Sequence, residues 1–163
     1  MTVAAASVQA QDPTLIRIPY RTYIAANPLG IPFDIASVEV ESGVAQGVTV
    51  GGQGSYTSLG DDRYTTFDAK IRYYPSEVVL RGFSMGVSAG RTHYTQRTDV
   101  RPDLNFGTVG LLLDYNWMLG VRRRFIVGTG IGAKRVLASE DDRKAANLDH
   151  AYVTARFVVG LAF

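Results

Sequence analysis

Tyr152 to Phe163 reads YVTARFVVGLAF, and its side chains separate by parity. Val153, Ala155, Phe157, Val159, Leu161 and Phe163 fall on one face, while Tyr152, Thr154, Arg156, Val158, Gly160 and Ala162 fall on the other. Successive side chains of a β-strand point to opposite sides, so a period of two predicts a strand with one apolar face and one small or polar face. The pattern recurs upstream. Phe106 to Leu119 sets Val109, Leu111, Leu113, Tyr115 and Trp117 against Thr108, Gly110, Leu112, Asp114 and Asn116. Phe125 to Leu137 sets Phe125, Val127, Ile131 and Ala133 against Ile126, Gly128, Gly130, Gly132 and Lys134. Phe83 to Thr95, Thr65 to Tyr74, Val48 to Tyr56 and Asp34 to Glu41 alternate in the same way, and Arg17 to Ala26 is an N-terminal candidate. No 3.6-residue apolar stripe persists beyond a turn or two, so the chain is expected to be all-β with eight strands.

The connections carry a second signal. Val44 to Gln46, Pro75 to Arg81 and Gly120 to Arg123 are mostly short, whereas Asn27 to Pro32, Ser58 to Arg63, Gln96 to Asn105 and Ser139 to His150 are polar or longer and alternate with them. The expected architecture is therefore an eight-stranded antiparallel up-and-down transmembrane β-barrel, with both termini at the short-turn end. Strands of this length suit a tilted bilayer crossing of about 9–11 residues.

Composition bounds the chemistry. The 163 residues suit one domain, with no Cys, two His, 17 Gly, and 17 Lys plus Arg against 15 Asp plus Glu. Without Cys there is no disulfide scaffold, thiol catalysis or thiolate metal site, and no metal site or cofactor is expected. A net charge of +2 with one compact basic cluster, Arg122 to Arg124, gives no nucleic-acid footprint. No uncharged run qualifies as a transmembrane helix. In the opening MTVAAASVQAQDP, Val8 and Ala10 occupy the −3 and −1 positions of a signal-peptidase site. Residues 1–10 therefore read as a signal-peptide remnant and 11–163 as a single barrel domain.

The faces decide the expected solvent. Glu39, Glu41, Asp68, Lys70, Arg72, Asp114, Lys134 and Arg156 share the face that carries most strand glycines. Four acids and four bases make a self-neutralising lumen network, and an eight-stranded barrel has just enough interior to hold such side chains. The opposite face of Val, Leu, Ile, Phe, Ala and Met has no helix to cover it, so lipid is its expected neighbour. Tyr73, Phe83, Tyr115, Trp117, Phe125 and Phe163, together with Tyr74, cluster near the short-turn end as an interfacial aromatic girdle. A soluble lipocalin-type barrel is the alternative, and it requires Asp68, Lys70, Arg72 and Arg156 in water with Val109, Leu111, Leu113, Phe157 and Val159 buried.

On these residues the chain resembles the small eight-stranded outer-membrane barrels of Gram-negative bacteria, the class that includes OmpA-like and OmpW-like proteins. The final strand, with Ala155, Phe157, Val159, Leu161 and Phe163 on one face, resembles the signal by which the barrel assembly machinery recognises that class. Asn27-Pro28-Leu29-Gly30 leading into SVEVESG, and YNWMLGVRRRFIVGTGIGAKRV, are similar to a group of outer-membrane barrel-domain proteins with no defined activity. The resemblance implies export to the cell outer membrane, insertion by the assembly machinery, and outer-membrane lipids and lipopolysaccharide as partners.

The expected role is structural or interactive, through the loops Gln96 to Asn105 and Ser139 to His150, with no enzyme activity and no catalytic residues. Passive transport of small solutes, through the lumen or by a lateral route past Leu112, Ile126 and Val158, is a second reading. A lipid-modifying enzyme would use His93 with Tyr94 and Thr95, or His150 with Tyr152, but a His-x-Ser arrangement is missing. The oligomeric state has no sequence signal.

Overall fold

The computed structural model describes residues 20–96, 103–140 and 149–163. The signal-remnant reading of residues 1–10 and most of the two long loops lie outside them. Eight antiparallel strands form a closed barrel: β1 (Thr22–Ala26), β2 (Ile35–Ala45), β3 (Val48–Leu59), β4 (Asp62–Tyr73), β5 (Gly82–Gln96), β6 (Leu104–Leu119), β7 (Phe125–Leu137) and β8 (Ala151–Ala162). Each strand pairs with its sequence neighbours, and β1 closes on β8 from Tyr23 opposite Ala162 to Ala26 opposite Val159. Thr22 and Phe163 exchange both backbone hydrogen bonds, at 3.1 and 2.8 Å.

The strands follow the parity of the sequence, and their boundaries differ from expectation in places. β1 begins at Thr22 and ends at Ala26, where the expected strand ends, while Arg17 to Pro19 of that expected strand lie outside the described residues. Pro28 has no N–H to continue a ladder, and the Asn27 side chain accepts the N–H groups of Leu29 at 3.1 Å and Gly30 at 3.2 Å, turning the chain away. The link expected over Ser58 to Arg63 is a two-residue turn, Gly60-Asp61, with Gly60 at φ +63°. Conversely the β4–β5 connection, at the end expected to carry short turns, is eight residues long, Tyr74 to Arg81. Loop length is therefore less strictly sided than the alternation suggested.

That connection seals one end of the barrel. Leu80, at φ +67°, is fully buried and packs with Tyr23, Ala25, Met118, Ile126, Val158 and Ala162. The amide of Tyr74 donates to the carbonyl of Gly47 at 2.7 Å, which ties this turn to the β2–β3 hairpin. Toward the other end, Tyr94, Phe106 and Val136 form a smaller apolar cluster. Between the two clusters the interior is charged.

The outward face is the apolar one. Phe67 and Leu111 are each 67% exposed, and Val38, Ile71, Val87, Leu113, Ile131 and Leu161 are about half exposed. Among the described strand residues this face carries no acid, and its bases, Arg63, Arg91 and Arg135, all lie toward the long-loop end. Val153 to Phe163 is uncharged on its outward side. Ten steps of ~3.3 Å at a tilt of ~40° make that band about 25 Å tall.

Candidate functional site

The interior is built around Arg72 on β4. Its Nε donates to Asp114 Oδ2 at 2.7 Å, and one terminal nitrogen contacts both Glu41 and Glu39, the latter at 3.3 Å. Arg156 on β8 approaches from the opposite wall. It donates to Glu39 at 2.7 Å, to Asn116 Oδ1 at 3.0 Å and to the Tyr23 hydroxyl at 2.9 Å, and lies 3.7 Å from Asp114. Lys70 Nζ donates to Glu39 at 2.6 Å and to Gln53. Nearer the long-loop end, Lys134 and Asp68 form a separate pair at 2.5 Å. All eight residues expected in the lumen network thus point inward, and each makes at least one ion pair with another member.

Strand parity explains the common face, and small residues explain the reach. Gly86 faces Arg72 across the β4–β5 ladder, where a β-carbon would lie 2.9 Å from Arg72 Cγ. Gly130 stands between Asp114 and Arg156 in register, and a β-carbon there would overlap the Asp114 carboxylate. Side chains from β2, β4, β6 and β8 can therefore meet across a narrow barrel.

Neutral donors complete the layer. Tyr23 donates to Glu39 and to Glu41, the second at 2.8 Å; Thr49 donates to Glu41 at 2.6 Å and Tyr74 to the same carboxylate at 2.8 Å. Asn116 in turn donates to the Tyr74 hydroxyl at 3.0 Å. These four were missed as network members at the sequence level. Tyr74 had been expected in the girdle; it shares the parity of Arg72 and is fully buried, which is the signal that could have placed it. Tyr73, Phe83, Tyr115, Trp117, Phe125 and Phe163 all face outward at 42–57% exposure near the end sealed by Leu80, with Tyr115 and Trp117 in ring contact at 4.7 Å. Ala155, Phe157, Val159, Leu161 and Phe163 form one outward row, with Phe157 half-buried.

The histidines assemble no reactive cluster among the described residues. His93 is exposed and contacts Asn105 at 3.2 Å and Thr95 at 3.1 Å, while His150 is exposed in the β7–β8 connection. Tyr94 points inward, away from His93, and donates to Asp62 at 2.7 Å. No group of acids and histidines able to hold a metal ion occurs among the described residues. Of the loop charges, Asp103 and Glu140 are exposed, whereas Arg97, Asp99, Arg101, Asp141, Asp142, Arg143 and Lys144 lie outside the described residues.

Between the charged layer and the long-loop end is a cavity of about 660 Å³. Lys70, Lys134, Arg156 and Asp68 line its charged part, and Phe106, Leu112, Val136 and Val158 line its apolar part. At the opposite end the lumen is filled by Leu80 and its neighbours. Comparison with protein-family models, with curated proteins and with solved structures gives no match, so the geometry alone carries the functional argument.

Proposed function

We propose that the chain is an outer-membrane β-barrel whose apolar outward face lies in lipid, and whose role is structural or interactive through the loops at its long-loop end. One observation carries this reading. Charge is buried inside while large apolar residues stand exposed outside: Asp68, Lys70 and Arg72 are at most 7% exposed, whereas Val109, Leu111, Leu113 and Val159 are at least 40% exposed. A lipocalin-type barrel in water needs the opposite placement of these same residues. An apolar band of about 25 Å is the height of a hydrocarbon core crossed by strands. The aromatic residues at one edge and Arg63, Arg91 and Arg135 at the other suit the two interfaces, the arginines facing anionic headgroups such as those of lipopolysaccharide.

The ion-paired layer and the Leu80 seal favour a barrel that does not conduct. Breaking a buried pair to pass an ion would leave an uncompensated charge. The row ending Val159, Leu161 and Phe163 would serve as the recognition face for the assembly machinery, and the reading includes no enzyme activity. Membrane fractionation followed by a detergent gel with and without boiling tests it. The expected result is recovery in the outer-membrane fraction with a mobility shift on boiling; recovery in the soluble fraction without a shift would overturn it.

A further inference from the structure

The barrel wall is incomplete on one side. β1 ends at Ala26, the register partner of Val159, so among the described residues Ala151 to Val158 of β8 pairs with β7 alone. Across the gap, Ile35 to Ser37 of β2 pairs with β3, and its other edge makes two bonds to the β1–β2 connection, from the Asn27 amide to the Ser37 carbonyl at 3.1 Å and from the Ile35 amide to the Gly30 carbonyl at 2.9 Å, so the seam lies between that connection and β8. The gap is written in the sequence, since Asn27 to Phe33 holds two prolines and no charge and cannot prolong β1. Leu29, Ile31 and Phe33 of that segment are 58–69% exposed beside the gap.

The cavity passes through this seam. Its walls include Thr154, Arg156 and Val158 from the inward row of β8, and also Val153, Ala155 and Phe157 from the outward row. A cavity bounded by both faces of one strand reaches around that strand's free edge. Unpaired backbone at membrane depth is tolerated where it lines a cavity, and that is where the free edge of β8 lies.

We infer that the seam between β8 and the β1–β2 connection is a lateral portal through which a single-chain amphiphile with a carboxylate head, a long-chain fatty acid, enters the cavity from the bilayer. This rests on the membrane reading above. The volume falls in the range of small-ligand sites, about 300–1,000 Å³. Phe106, Leu112, Val136 and Val158 offer a dry wall for an alkyl tail. The head is assigned by spare donors. Of the three bases along the wall, Lys70 and Arg156 are engaged by Glu39, whereas Lys134 spends one of its three N–H donors on Asp68 and has donors to spare. A carboxylate at that ammonium would gain a charge-assisted bond without displacing Asp68.

The test uses the full chain in phosphatidylcholine vesicles, with Phe106→Trp in a Trp117→Phe background as an interior reporter and Leu112→Trp as a second reporter should the first fail to fold. Doxyl-stearate, its methyl ester and doxyl-phosphatidylcholine are the quenching probes. Saturable quenching by doxyl-stearate is expected at mole fractions at least tenfold below those the other two probes require. Ala155→Phe at the portal should slow its onset about tenfold, and Ala89→Phe, on a strand paired along both edges, should not. Equal quenching by acid and ester would overturn the carboxylate assignment. Equal quenching by stearate and the two-chain lipid, no quenching, or equal effects of the two alanine substitutions would overturn the portal while the boiling shift stays intact. A chain that stays out of vesicles and shows no shift would overturn the membrane reading itself, and the portal with it.

Discussion

Asp114 occupies the space that a side chain at Gly130 would fill. The two residues face each other across the β6–β7 ladder, and a β-carbon on Gly130 would overlap Asp114 Oδ1. The carboxylate would have to leave a position from which it holds Arg72 at 2.7 Å. Replacing glycine in a strand ordinarily gains about 0.5–1 kcal/mol of backbone entropy, whereas overpacking costs about 1–3 kcal/mol and here also strains an ion pair. Gly130→Ala should therefore be destabilising, read as a lower urea midpoint in vesicles. An unchanged or higher midpoint would show that the layer has slack.

Removing the central cation should cost more. Arg72→Met leaves Glu39, Glu41 and Asp114 facing one another with Arg156 and Lys70 as the remaining bases nearby. Breaking a buried pair from one side costs about 3–5 kcal/mol. Arg72→Lys should fall between Met and the parent, because an ammonium cannot span two strands as the guanidinium fork does. Equal stability of all three proteins in urea titrations would contradict a network held by Arg72.

Leu111 stands at the middle of the outward face, 67% exposed and flanked in register by Val87 and Ala133. In a bilayer Leu111→Arg should cost about 2–4 kcal/mol, the depth-dependent penalty for a base at the midplane. The same change at Val121, fully exposed in the β6–β7 turn, should cost close to nothing. Were the two substitutions equally harmless to insertion into vesicles, the outward band would not be facing hydrocarbon.

In planar bilayers the parent protein should show no unit conductance steps. The lumen is crossed by Arg72, Arg156 and their acids and sealed below by Leu80, so an ion has no wetted path from end to end. Regular steps in the parent recordings would require the charged layer to open on the timescale of the measurement.

How much of this was visible beforehand follows from which features are local. Parity is local, so YVTARFVVGLAF and its counterparts placed all eight charged lumen residues on one face and Tyr73, Phe83, Tyr115, Trp117, Phe125 and Phe163 with most of the aliphatic residues on the other. Partner choice is not local. That Arg72 meets Asp114 across 42 positions while Lys134 meets Asp68 across 66 depends on barrel stagger and on the glycines between them, neither of which periodicity reports. Leu80 looked like a loop residue because no alternation surrounds it, and its burial comes from a turn folding back into the barrel mouth. The seam lay half in view. Pro28 marked the end of β1, but only the register of β8 reveals that eight residues of its edge face no first strand.

The closure between the first and last strands has a consequence for how the molecule comes together. Seven of the eight ladders join neighbours in the chain and form at short sequence separation, as hairpins do. The eighth joins Tyr23 to Ala162, nearly the whole described length apart, through four residue pairs. Its loop-closure entropy is the largest in the topology and its bonded length the smallest. The cylinder is thus a meandering ribbon whose final join is both the last to be made and the first to part, and it adjoins the gap that opens beside β8.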